Sequence, residues 1–152
     1  MTNPCELLNR PAQPTLAIRT HSAVQDLPQT MGQALGAIAQ YLGQRGEHPA
    51  GPPYAAYYNM DMQNLDVEIG FPVAHALPGQ GNVQPSQIPG GQAVTCLHVG
   101  PYDQVARAYE ALDQWLKASG RAATGVAYEL YLNDPAQTAP ESLQTQVLFP
   151  LN

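Results

Sequence analysis

Tyr41–Asn59, YLGQRGEHPAGPPYAAYYN, aligns without a gap on Trp115–Asn133, WLKASGRAATGVAYELYLN, at an offset of 74. Identities fall at Leu42/Leu116, Gly46/Gly120, Gly51/Gly125, Tyr54/Tyr128, Tyr57/Tyr131 and Asn59/Asn133. Six matches in 19 are modest, but the flanks repeat the same order of elements. Upstream, Met31, Leu35, Ile38 and Leu42 share the helical spacing of Val105, Tyr109, Leu112 and Leu116, which predicts an amphipathic helix in each copy. Gly46 and Gly120 then stand where a helix wants a left-handed C-terminal cap.

Downstream, each copy continues with two strand-like runs. The first has Tyr54–Asn59, a turn around Asp61–Asn64, and Leu65–Val73 with Leu65, Val67, Ile69 and Phe71 on one face. The second has Val126–Leu132, a longer Asp134-Pro135 turn, and Leu143–Leu151 with Leu143, Thr145, Val147 and Phe149 on one face. Apolar runs also precede the helices, at Thr15–Thr20 and Ala93–Val99. The chain therefore reads as an α+β fold, a strand-helix-strand-strand unit occurring twice within one domain over 1–152. The halves span about 13–73 and 91–151, and the Gly-, Pro- and Gln-rich stretch 74–90 is expected to be a linker. One unit alone leaves an open sheet edge, so the halves should pair about a pseudo-twofold axis as antiparallel sheets with two main helices. A groove between the halves would be the natural ligand pocket.

Composition narrows the function classes. The 152 residues are 44% apolar and 12% charged, which fits a globular chain with few surface charges. Six Lys and Arg against twelve Asp and Glu give a net charge of −6, so direct nucleic-acid binding is not expected. Cys5 and Cys96 are far apart without ligand spacing, and His21, His48 and His75 are dispersed, so neither a metal nor a redox pair is indicated. No phosphate loop or nucleophile elbow is present, and no cofactor is expected. The start of the chain lacks the features of a secretory signal and no run is apolar enough to span a membrane, so a cytoplasmic location is expected.

Chemistry concentrates where the two copies differ. Ala55 of the first aligns with Glu129 of the second, inside Tyr128-Glu129-Leu130-Tyr131-Leu132, a strongly β-prone stretch where Glu is disfavoured. Glu129 shares a face with Ala127, Tyr131 and Asn133. Two readings stand: a carboxylate on a water-facing sheet surface, or one at the floor of an aromatic pocket. Eight tyrosines against two Phe and one Trp supply flat rings with hydroxyl handles, whose faces attract cations. Asp66 and Glu68 alternate with Leu65, Val67 and Ile69 and are expected to face solvent. Cys96 reads as a buried small hydrophobe, and His98 as a supporting hydrogen-bonding group just before the second helix.

These segments, taken in order, resemble the GyrI-like (gyrase-inhibitor-like) effector-binding family. The resemblance lies in Gly51-Pro52-Pro53-Tyr54 with Tyr57-Tyr58-Asn59, in Val67-Glu68-Ile69-Gly70-Phe71-Pro72-Val73, and in Ile88-Pro89-Gly90-Gly91. It continues in His98-Val99-Gly100-Pro101-Tyr102, in the helix carrying Tyr109, Leu112, Trp115 and Leu116, and in Tyr128-Glu129-Leu130-Tyr131. It implies a tandem fold with a groove between the halves, and it matches Glu129 to the family's pocket glutamate. No helix-turn-helix pattern precedes residue 13, so the chain looks like a stand-alone member.

Three functions follow from the resemblance. In the first, the protein binds bulky aromatic or lipophilic cationic small molecules, with Glu129 as anchor and Tyr54, Tyr57, Tyr109, Tyr131, Trp115 and Phe71 as walls. In the second, the same pocket hydrolyses electrophilic, cyclopropane-type genotoxins, with Glu129 activating water and Tyr131 assisting. In the third, the acidic surface binds a protein partner of the DNA gyrase type.

Overall fold

The computed structural model describes residues 4–152. In chain order the elements are β1 (Glu6–Arg10), β2 (Gln13–Ser22), α1 (Leu27–Gln44), β3 (Tyr54–Tyr57), β4 (Leu65–Pro72), β5 (Gln84–Ile88), β6 (Gly91–Val99), α2 (Ala106–Ser119), β7 (Ala127–Tyr131) and β8 (Gln144–Pro150). Among the described residues the fold is α+β, eight strands with two α-helices. It divides into two compact units, residues 12–89 and residues 1–11 together with 90–152.

In the unit of residues 12–89 the strands run antiparallel in the order β3-β4-β2-β5. Ile18 opposes Ile69 and Leu16 opposes Phe71 on one face, while Ala17 opposes Gly70 and Arg19 opposes Glu68 on the other. Leu16, Ile18, Val67 and Ile69 are buried, as are Ala34, Ile38, Tyr41 and Leu42 of α1. A proline in the first turn starts α1, where its missing N–H costs nothing, and Gly46 follows its end at φ 69°. The helix begins one turn before the predicted Met31.

The expected linker over 74–90 is corrected by the structure, because it contains β5, which pairs with β2 from Gln13↔Ile88 to Ala17↔Gln84. Gln84-Pro85-Ser86-Gln87 has no apolar alternation, since this end strand carries mostly exposed side chains and contributes chiefly its backbone. Pro85 is tolerable there because an end strand need not donate on both sides.

In the second unit the order is β1-β6-β8-β7, again antiparallel. The first strand, β1, was not expected; it pairs with β6 from Glu6↔Thr95 to Arg10↔Gly91. Buried Val94, Cys96, Ala127, Val147 and Phe149 pack against Ala108 and Leu112 of α2. The helix ends at Gly120, at φ 71°, whose N–H donates to the Leu116 carbonyl.

The repeat holds residue by residue in the ladders. Ile18↔Ile69 corresponds to Cys96↔Val147, Tyr54↔Gly70 to Tyr128↔Leu148, and Tyr57↔Val67 to Tyr131↔Thr145. Since a one-residue slip would turn every side chain to the wrong face, equal register means that equivalent positions carry equivalent burial demands. Among the described residues, no helix is long and apolar enough to cross a membrane.

Candidate functional site

Glu129 is buried, with 9% of its surface exposed. It lies opposite Val147 on β7, and strand alternation puts it on the face of Ala127, the face that α2 covers. Tyr109, at the end of the first turn of α2, donates its hydroxyl to Glu129 Oε2 at 2.5 Å. Tyr131, two residues along the same strand, donates to Oε1 at 2.9 Å. Of the two readings open in the sequence, the structure thus excludes the water-facing one.

Both donors are hydroxyls, so their hydrogen bonds favour the ionised carboxylate without cancelling its charge. Burial pushes the Glu129 carboxyl above its ordinary pKa, and the Tyr109 and Tyr131 hydrogen bonds pull part of the way back. The result is a carboxyl group that takes up a proton more readily than an exposed glutamate.

Further rings of the same unit pack on the two tyrosines or nearby. Tyr102 stands edge-on to Tyr131 with centroids 5.7 Å apart, and Tyr109 stands edge-on to Phe149 at the same spacing. Trp115, two turns along α2 from Tyr109, packs half-buried against the adjoining core. Edge-to-face pairs fix ring orientation as well as adding contact energy, so the two tyrosine hydroxyls are held toward the carboxylate. Tyr102 and Phe149 were not expected in this neighbourhood. For Tyr102 a signal existed, since it closes His98–Tyr102 just before α2; Phe149 read simply as one of a strand's apolar face.

Tyr54, Tyr57 and Phe71, the other expected wall residues, belong to the unit of residues 12–89. Tyr57 is buried on the face of Ala55, and Phe71 is half-buried on β4. Tyr54 is fully buried and serves a different carboxylate: its hydroxyl donates to Glu68 Oε2 at 2.7 Å and contacts Thr15 Oγ1 at 2.9 Å.

The expected solvent exposure of Glu68 is therefore corrected, its surface being 6% exposed. Tyr58 donates to its Oε1 at 3.2 Å and Ser86 to its Oε2 at 2.9 Å. Alternation put Glu68 on the face away from the apolar core correctly, but β5 and the tyrosines cover that face. Asp66, on the same face, is partly exposed and makes a two-pronged pair with Arg19 at 2.7 and 2.8 Å. The Arg19 guanidinium holds the Asp66 carboxyl below its usual range.

His98 is fully buried and donates from Nε2 to the Pro101 carbonyl, 3.1 Å away, which braces the turn into α2. Cys96 is buried, and burial beside Cys5 pushes its thiol up to about 11, far from a nucleophile's range. His75 meets Glu47 at 3.5 Å near the surface. Among the described residues, no three His, Cys, Asp or Glu side chains gather as metal ligands.

The chain belongs to the GyrI-like small molecule binding domain family, whose profile matches residues 3–152. No curated protein matches the chain. The structure of the EcmrR C-terminal domain superposes with a TM-score of 0.82 at 23% identity, covering 97% of this chain and 96% of that one. EcmrR bound to DNA in its RPo complex gives 0.85 at 23% identity; 99% of this chain is covered, but it spans only 57% of that chain. A hydrolase from Listeria innocua gives 0.72 at 19% identity, covering 98% and 92%. SAV2435 bound to tetraphenylphosphonium gives 0.63 at 10% identity, covering 99% and 94%. At these identities the likeness is one of fold.

Proposed function

We propose that this protein binds bulky aromatic or lipophilic cationic small molecules, with Glu129 as the polar anchor. The observation that carries the reading is the buried Glu129 carboxylate, held by the hydroxyls of Tyr109 and Tyr131, whose rings stand edge-on to Phe149 and Tyr102. A cation arriving there gains a charge partner and aromatic faces together, which a neutral ligand of the same shape does not. Membership of a small-molecule-binding family and the phosphonium ligand of SAV2435 support the same chemistry. Titration with tetraphenylphosphonium, followed by tyrosine and tryptophan fluorescence, tests it. Saturable binding that Glu129→Gln weakens is the expected result; no binding, or equal binding by both proteins, would overturn the reading.

A second reading is favoured by the short Tyr109–Glu129 hydrogen bond together with the raised carboxyl pKa. Such a pair suits general-base activation of water, with Tyr131 as a proton-donating neighbour, and would open an electrophilic cyclopropane by adding water across the ring bond. A hydrolase from Listeria innocua shares the fold. Mass spectrometry of the compound after incubation, seeking a water adduct that Glu129→Gln fails to form, separates hydrolysis from binding.

A further inference from the structure

We infer that the unit of residues 12–89 carries a second ligand site, built on Glu68, that takes a small primary amine as its ammonium ion. The site is a cavity of about 300 Å³ lined by Ala17, Arg19, Glu68, Asn82, Gln84, Pro85 and Ser86. The β-ladder register explains the grouping, since Ala17, Arg19, Glu68, Gln84 and Ser86 all project from the same face of β2, β4 and β5. That face is the one turned away from buried Leu16, Ile18, Val67 and Ile69.

Hydrogen-bond accounting gives the ligand chemistry. A carboxylate offers about four acceptor positions. Three of those on Glu68 are taken, by Tyr54, Tyr58 and Ser86, and a position on Oε1 is left. The three donors are all neutral hydroxyls, so the negative charge is solvated by the protein without being cancelled. Arg19, the cation in the lining, is held mainly by Asp66, which Nε and one amino group bind, with the guanidinium 3.6 Å from the centroid of the Tyr58 ring and a weaker attraction to Glu68. Counting Glu68, Asp66 and Arg19 together, the face retains one net negative charge.

The neighbouring groups add acceptors beside the carboxylate. Ser86 donates its hydroxyl hydrogen bond to Glu68, which leaves its oxygen lone pairs as acceptors. Gln84 donates its amide nitrogen to the Gly81 carbonyl at 2.7 Å, which leaves its carbonyl oxygen as an acceptor. The free position on Glu68 Oε1, the Ser86 oxygen and the Gln84 carbonyl are acceptors in the same lining, and an ammonium group, with three donors and a positive charge, complements them. A quaternary cation does not, because it has no N–H to give and the face of the Tyr58 ring is already covered by Arg19. The cavity therefore asks for a different ligand from the aromatic surroundings of Glu129.

The test titrates the whole protein with propylammonium chloride, against tetramethylammonium chloride at equal ionic strength, and follows backbone amide resonances. Expected are saturable shifts at residues 17–19, 66–70 and 82–86 with propylammonium alone. Glu68→Gln should weaken that binding by roughly tenfold to a hundredfold, the scale of a lost charged hydrogen bond. Gln84 is exposed, so two milder variants guard against loss of the fold: Gln84→Leu should weaken the amine several-fold, and Gln84→Glu should tighten it. Glu129→Gln should leave it unaltered, so this site and the Glu129 reading stand or fall separately. Absence of saturable shifts in the wild type, equal response to tetramethylammonium, or indifference to both Gln84 variants would overturn the assignment.

Discussion

Glu129 and Glu68 are both buried carboxylates fed by tyrosine hydroxyls, yet they sit on different faces of their sheets and answer to different constraints. Glu129 lies under α2 among apolar groups, where ionisation is resisted; Glu68 lies on the face away from its core, beside exposed side chains of β5. For Glu129 this sets a pH dependence. Its folded pKa is raised, so it favours the folded state at pH below the unfolded carboxylate range, and that advantage is lost as pH rises toward the folded pKa. Wild type should therefore lose stability relative to Glu129→Gln across that window, which urea unfolding of both proteins at a series of pH values would measure. A cation bound beside Glu129 favours the ionised form, so tetraphenylphosphonium should bind more tightly as pH rises through the same window and should release protons on binding. Calorimetry in buffers of different ionisation enthalpy reads that release directly. Affinity for the cation should fall by about 1 to 3 kcal/mol in Glu129→Gln, the order of the Coulomb attraction between unit charges ~6 Å apart at an effective dielectric constant of about 20.

At the scale of elements, Gly70 shows how a strand makes room for a polar cluster. It opposes Tyr54 across the β3–β4 ladder, and a Cβ there would come within 2.5 Å of the Leu16 carbonyl oxygen and 3.0 Å of the Tyr54 ring. The missing side chain lets the Tyr54 ring lie flat over β4 and carry its hydroxyl to Thr15 and Glu68. Gly70→Ala should accordingly cost about 1 to 3 kcal/mol in thermal unfolding, the cost of overpacking, and should disturb the environment of Glu68 as well. In the second copy Leu148 stands where Gly70 does, and Gln146 opposes Leu130 where Glu68 opposes Ala56, so the cluster belongs to one copy alone. The helices and inner strands were legible because Leu42/Leu116, Tyr54/Tyr128 and Tyr57/Tyr131 record the same burial twice. The strands β1 and β5 were not, because a strand that contributes backbone more than side chains has no apolar alternation to read. Missing β5 is also why Glu68 was misplaced: the face was read correctly, but not the strand that shelters it. Which face α2 covers is a tertiary fact, and Glu129 remained ambiguous until it was known.

At the scale of the whole molecule, the two units differ in how the chain closes them. Residues 12–89 form one continuous segment, whereas the other unit needs residues 1–11 to meet residues 90–152. Its first strand, β1, ladders along β6 over five residues, and Cys5 just before it packs on the cluster holding Cys96. Strand and thiol together cover β6, whose backbone would otherwise present an open edge. Cys96 is 1% exposed with its thiol pushed up to about 11, so in the intact protein it should react with a maleimide far more slowly than half-buried Cys5. Removing residues 1–11 should speed labelling of Cys96 markedly and lower the unfolding temperature, because opening the β6 edge no longer requires β1 to detach. Cys5→Ala keeps the strand and loses only one thiol, so it should leave Cys96 nearly as protected as in the wild type. Equal labelling rates in the truncated and intact proteins would show that α2, rather than β1, shields the thiol; fast labelling in Cys5→Ala would assign the protection to the cysteine contact instead of the ladder.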